Sequence, residues 1–205
     1  MKSLNLDNLP VNWFDLAVVI LLLVGVLRGR KRGMSQEFLD VFKWLVLVLA
    51  AGFLYQPVGD MLPQSAMFDR LACYIVAYLG IAMVVFSLFI FIKRALGGKL
   101  IGSDKFGNAE YPLGMVSGMI RFACMIVAAL ALLNARAYTS AEVNAEIKFQ
   151  NDNYGSQFFP TLQTIQAQVF KKSMSGPVIK DCLGLVLIKP TAPAKKDLRP
   201  EVALP

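Results

Sequence analysis

Apolar residues arrive along this chain in blocks, not at the one-face spacing of helices around a soluble core. Four blocks stand out, at about residues 13–27, 38–55, 71–92 and 113–133. The third, "LACYIVAYLGIAMVVFSLFIFI" from Leu71 to Ile92, is 22 residues without a formal charge. At the helical rise of about 1.5 Å per residue it reaches about 33 Å, enough for the roughly 30 Å hydrocarbon core of a bilayer. The pattern therefore predicts a transmembrane helix there. Blocks one and two are shorter. Block one has Asp15 near its start, and block two carries Asp40 and Lys43 in its first turns, leaving Trp44 to Tyr55 uninterrupted. Long basic side chains at helix ends can snorkel, and short helices can pack inside a bundle, so the two read as a spanning hairpin in preference to a re-entrant pair.

Beyond Leu133 the composition turns polar with "NARAYTSAEVNAEIKFQNDNYGSQ", which marks a boundary. A helical stripe of Phe159, Leu162, Ile165 and Val169 comes next, ending in Lys171 and Lys172, where cations suit the helix dipole. Ile179, Cys182, Leu183 and Val186 repeat that spacing within 178–188. Both read as short amphipathic helices lying against the membrane or the bundle. The final "KPTAPAKKDLRPEVALP" has the composition of a disordered tail. The expected architecture is all-α: an N-terminal tail (1–12), a polytopic four-helix transmembrane bundle (13–133), an amphipathic-helical extracytoplasmic segment (134–188) and a disordered tail (189–205).

Composition agrees with a lipid environment, with 56% hydrophobic and only 17% charged residues, where soluble domains carry about 25% charge. The net charge of +7 is placed unevenly. Arg28, Arg30, Lys31 and Arg32 crowd the gap between blocks one and two, and Lys93, Arg94, Lys99 and Lys105 lie between blocks three and four. The gap between blocks two and three holds almost no cations. Lys and Arg in short loops stay on the cytoplasmic side, so Arg28, Arg30, Lys31 and Arg32 set the topology and both termini face outward. That rule accounts for the cluster without nucleic acid. A cleaved signal peptide is disfavoured, because the charges come after the apolar run and no A-x-A site comes after it.

Candidate chemistry is sparse. Histidine is absent, and Cys73, Cys124 and Cys182 have no paired spacing. No phosphate-binding glycine loop, H-E-x-x-H or G-x-S-x-G occurs, so the reading is non-enzymatic, with no catalytic residues, cofactor or metal. Arg121 most needs explaining, at the ninth position of the 21-residue block 113–133. A central arginine costs about 2.5–3.5 kcal/mol on insertion, and the nine Leu, Ile, Val and Phe residues of the block return roughly 3–5 kcal/mol. The near balance means that Arg121 should face protein or water. Its candidate partners are Asp40, favoured by depth, and Asp15. A structural ion pair is the plainest reading; a polar pathway and snorkelling are the alternatives. Glycines four apart, Gly25 with Gly29 and Gly114 with Gly118, predict close helix approach within the chain, with a dimer contact as the alternative. Tyr74 and Tyr78, one turn apart, read as an aromatic belt.

These pieces resemble the colicin V production protein (CvpA) family. The likeness begins at Phe14-Asp15 and continues through Gly29-Arg30-Lys31-Arg32-Gly33 with Glu37, similar to the family's G-x-x-R-G-x-x-x-E pattern. It returns at Leu113-Gly114 and "GMIR", Gly118 to Arg121, while Glu110-Tyr111 stands where the family usually has an Asp-Arg pair. The resemblance covers about residues 12 to 133. It implies a multi-pass protein of the bacterial inner membrane, tied to colicin V-like toxin production and secretion or to envelope maintenance. The expected role is that of an accessory protein in the lipid bilayer, working through a membrane-protein partner. The alternative is a small transporter or channel, a homo-oligomer in that case, using Arg121 with Asp40 or Asp15.

Overall fold

The computed structural model describes residues 12–63, 69–96, 107–155 and 161–192. The N-terminal tail to residue 11, the cations Lys99 and Lys105, Phe159 of the tail stripe and the final stretch from residue 193 lie outside the described residues.

Helix α1 spans Trp13–Arg32. Asn12 caps it: its side chain accepts from the Trp13 N–H at 2.7 Å, and Asp15 reaches back to the Asn12 N–H at 3.0 Å. That reciprocal box satisfies orphan donors of the first turn. The helix runs on through Arg28, Arg30, Lys31 and Arg32, so the basic cluster forms its last turns instead of a loop. Lys and Arg are good helix formers, and apolarity tracks depth in lipid instead of helix ends. One residue, Gly33, breaks the chain, at φ 74° and ψ 168°. That backbone region is essentially reserved for glycine. Helix α2 then spans Met34–Met61, α3 spans Arg70–Leu96 and α4 spans Glu110–Asn134 after a 3-10 turn at Gly107–Ala109.

Among the described residues three helical stretches are long and apolar enough to cross a membrane: Met34–Met61, Arg70–Leu96 and Gly107–Asn134. Helix α1, with its terminal cations, is not among them. The two helices joined at Gly33 make their main contacts with other helices instead of with each other. Helix α1 lies along α4, and α2 packs on both α3 and α4. Glycines decide this. A Cβ on Gly29 would sit 2.0 Å from the Gly114 carbonyl oxygen, and one on Gly118 would sit 2.1 Å from that of Gly25. The two backbones touch, giving dispersion contact that only small residues permit in lipid.

The stretch read as polar and turn-rich holds a helix, α5 (Ser140–Tyr154), and the two apolar stripes after it fall on α6 (Leu162–Ala167), a π-helical turn (Gln168–Lys172) and α7 (Ser175–Leu183). Beyond α7 the chain enters the bundle. Val186 packs with Leu47, Val48, Val85, Phe89 and Val127, while Leu187 and Ile188 join Tyr55, Tyr78 and Leu130. Gly52 makes the notch, since a Cβ there would lie 2.4 Å from a Val186 methyl carbon. The tail's first residues are pinned, not disordered: the Lys189 N–H donates to the Tyr55 hydroxyl at 3.0 Å, and Thr191 bridges to Arg136. Tyr74 and Tyr78 are buried against this core instead of forming a belt at the lipid boundary.

Candidate functional site

Charged side chains converge where α1 ends and α2 begins. Helix α2 places Glu37, Asp40 and Lys43 three residues apart, on one face. Glu37 is wholly buried. It accepts from a terminal guanidinium nitrogen of Arg121 at 2.5 Å and from Arg32 at 3.4 Å. Asp40 stands within 3.5 Å of Arg32, 3.4 Å of Lys43, 3.7 Å of Lys93 and 3.8 Å of Arg121. All four long helices contribute, and four cations face two carboxylates. Aromatic faces steady two of the cations: Arg121 over Phe122 at 5.3 Å and Lys43 over Phe86 at 5.0 Å.

A third carboxylate closes the α1–α2 corner. Glu110, buried at the start of α4, accepts from the Ser35 N–H at 2.6 Å and from its hydroxyl at 3.0 Å. Its negative charge thus meets the positive end of the α2 dipole. Gly33 leaves room for it, because a Cβ there would lie 2.7 Å from a Glu110 oxygen.

The sequence-predicted residues fall into three groups. Arg121, Asp40, Arg32 and Glu37 come together in this network. Gly25, Gly29, Gly114 and Gly118 form the α1–α4 contact beside it, with Gly33 at the corner. Arg28, Arg30 and Lys31 are exposed on the last turns of α1. The expected partner order is corrected: Glu37 is the first partner of Arg121 and Asp40 the more distant one. Asp15 is not a partner. It stands 17 residues before Arg32 on the same helix, about 25 Å away along the axis. There it accepts from the backbone N–H groups of Met174 at 3.1 Å and Ser175 at 2.9 Å, and from the Ser175 hydroxyl. Asn12 donates to the Gln168 carbonyl at 3.2 Å beside it, so the start of α1 holds the C-terminal segment. Sequence reasoning missed Glu110, Lys43 and Lys93 as members of the network. The three-residue repeat of Glu37, Asp40 and Lys43 was the available signal.

A family model described as "Colicin V production protein" matches residues 14–175. The chain belongs to that family. No curated protein and no solved structure matches it. For this colicin V production family member the match runs past the four apolar blocks, through α5 and α6, to Ser175. Its two ends are in contact, since Asp15 accepts from Ser175. The match thus takes in α5 and α6 as well as the membrane helices and stops at the start of α7, before the Val186–Ile188 stretch that enters the bundle. With three helices able to cross a bilayer, this family member is a membrane protein.

In chemical terms the network is a clamp. Taking two charges out of water costs several kcal/mol each, and their attraction offsets this only with close geometry and shared hydrogen bonds. The Arg121–Glu37 pair has the close geometry, while the buried Arg121 Nε has no hydrogen-bond partner among the described residues, and Asp40 spreads one negative charge over neighbouring cations. Removing one partner of such a pair typically costs about 3–5 kcal/mol.

Proposed function

We propose that this family member is a non-enzymatic accessory protein of the bacterial inner membrane, assisting toxin production and secretion or envelope maintenance through contact with another membrane protein. Helix α1 is the fourth span in this reading. Its 20 residues reach about 30 Å, the thickness of the hydrocarbon core. Leu16, Leu23 and Leu27 are each more than half exposed, as expected of a face turned to lipid. With the basic end of the bundle held in the cytoplasm by Arg28, Arg30 and Lys31, both termini are extracytoplasmic.

The observation that carries the accessory role is the closure of the charge network upon itself. Arg121 is spent on Glu37, Glu37 and Asp40 are spent on cations of this same chain and Glu110 on Ser35, so the deep charges serve to fix four helices. Crosslinking in the membrane followed by purification tests it: a specific membrane-protein partner is expected, and normal toxin export and envelope integrity after deletion would overturn it. One observation favours the second reading, a small oligomeric transporter, because the cations outnumber the carboxylates. Purified protein in liposomes should then move protons or small solutes and lose that activity in Arg121→Lys, whereas the clamp keeps its fold in that variant.

A further inference from the structure

A cavity of about 390 Å³ lies at the other end of α4, away from the charge network. Its wall is built from Arg136 and Tyr138 just beyond α4, Gln166, Phe170 and Lys171 of the α6 region, and Lys180 of α7. Three cations thus line one space, and no carboxylate is among the described lining residues. None of the three makes an ion pair among the described residues, in contrast to the network at the basic end, where Glu37 and Asp40 absorb the positive charge.

The walls are fixed while the cations stay unspent. The Gln166 amide donates to the backbone carbonyls of Leu133 at 3.0 Å and Arg136 at 2.9 Å, joining α6 to the end of α4. Asn134 donates to the Ile188 carbonyl at 2.9 Å, which ties in the tail. The Arg136 guanidinium lies 4.8 Å from the Tyr138 ring centre, and the Lys180 ammonium lies 5.6 Å from that of Phe170. Stacking restricts where the two charges can swing, so less order is lost when an anion arrives.

We propose that this cavity binds a phosphate group. Gathering three like charges is unfavourable until an anion joins them. A single carboxylate is matched by one arginine fork, whereas a phosphate offers more oxygens and up to two charges, which fits one guanidinium with two ammonium groups. The volume exceeds that of the bare ion and falls in the range of small-molecule sites, and the Tyr138 and Phe170 rings suit an organic portion. A phospholipid headgroup and a free phosphomonoester share this chemistry. The site uses no residue of the clamp, so it stands apart from the accessory role proposed above.

The test uses the full chain with two probes. Glycerol 3-phosphate is titrated calorimetrically into protein in a non-ionic detergent, and native mass spectrometry tracks protein in nanodiscs of phosphatidylcholine with or without phosphatidylglycerol. At least one probe should bind. Lys180→Gln and Lys171→Gln should each weaken that binding roughly tenfold, the loss of one charged contact. Added salt should weaken it further, since the cations are exposed. Response to glycerol 3-phosphate alone assigns a free phosphomonoester, and retention of phosphatidylglycerol alone assigns a headgroup. Failure of both probes to bind, or binding undiminished in the Lys171→Gln/Lys180→Gln double variant, overturns the proposal. Both substitutions leave the wall hydrogen bonds intact, so folding is not at stake.

Discussion

Replacing Glu37 with glutamine isolates one buried charge. Glu37 is wholly buried and is the nearest partner of Arg121, whose own side chain is only 7% exposed. Asp40 remains, but at 3.8 Å from Arg121 and already shared with Arg32, Lys43 and Lys93. Its charge cannot compensate fully, so Glu37→Gln should lose about 3–5 kcal/mol, the cost of orphaning one member of a buried pair. A loss of about 3 kcal/mol lowers the folding constant by roughly 100-fold or more. Arg121→Met should cost less, because Glu37 keeps Arg32 at 3.4 Å. The double variant Glu37→Met/Arg121→Met removes both desolvation costs and should fall near the unaltered protein or above it, as apolar replacements of buried pairs often do. Stability is read by unfolding in mixed micelles with rising SDS, monitored by tryptophan fluorescence. Trp44 reports well, one turn beyond Asp40 and edge-on to Phe86 at 5.4 Å. The clamp requires strong coupling between the two sites. If the losses of Glu37→Met alone and Arg121→Met alone simply add in the double variant, Arg121 and Glu37 do not stabilise each other and the reasoning fails.

The packing sets three further outcomes. Gly29→Leu drives a side chain into the Gly114 carbonyl, 2.0 Å from the first new atom, and should cost at least the roughly 1–3 kcal/mol of overpacking, with α1 becoming protease-sensitive before the other helices. Gly52→Ile fills the Val186 notch, so the segment after α7 should be cleaved much faster while circular dichroism stays unchanged; equal cleavage rates would show that the tail does not depend on that notch. Cys182 is exposed whereas Cys73 and Cys124 are buried, so a membrane-impermeant maleimide added to spheroplasts should label Cys182 alone. Labelling of Cys182 only after lysis would reverse the topology proposed for both termini.

Hydrophobic blocks and cation placement were enough to read, from the chain alone, an all-helical membrane protein with one strongly basic end. Both signals are local sums: a helix in lipid needs a length of apolar residues, and a charge needs water, whatever the neighbours do. Arg121 could likewise be singled out by its depth, and the glycine pairs by their spacing. What depth could not decide is which carboxylate meets Arg121. Glu37 and Asp40 are three residues apart on one face of α2, and their order depends on the rotation of α2 against α4, 84 residues away in sequence. Nor could it show that Gly25 and Gly29 would choose α4, leaving α2 to turn away at Gly33. The entry of Val186, Leu187 and Ile188 into the bundle was also invisible, because it depends on the Gly52 notch that only the assembled helices create. Periodicity fixes which face of a helix is apolar, but pairing between faces is a property of the packed whole, and the tertiary structure alone decided it here.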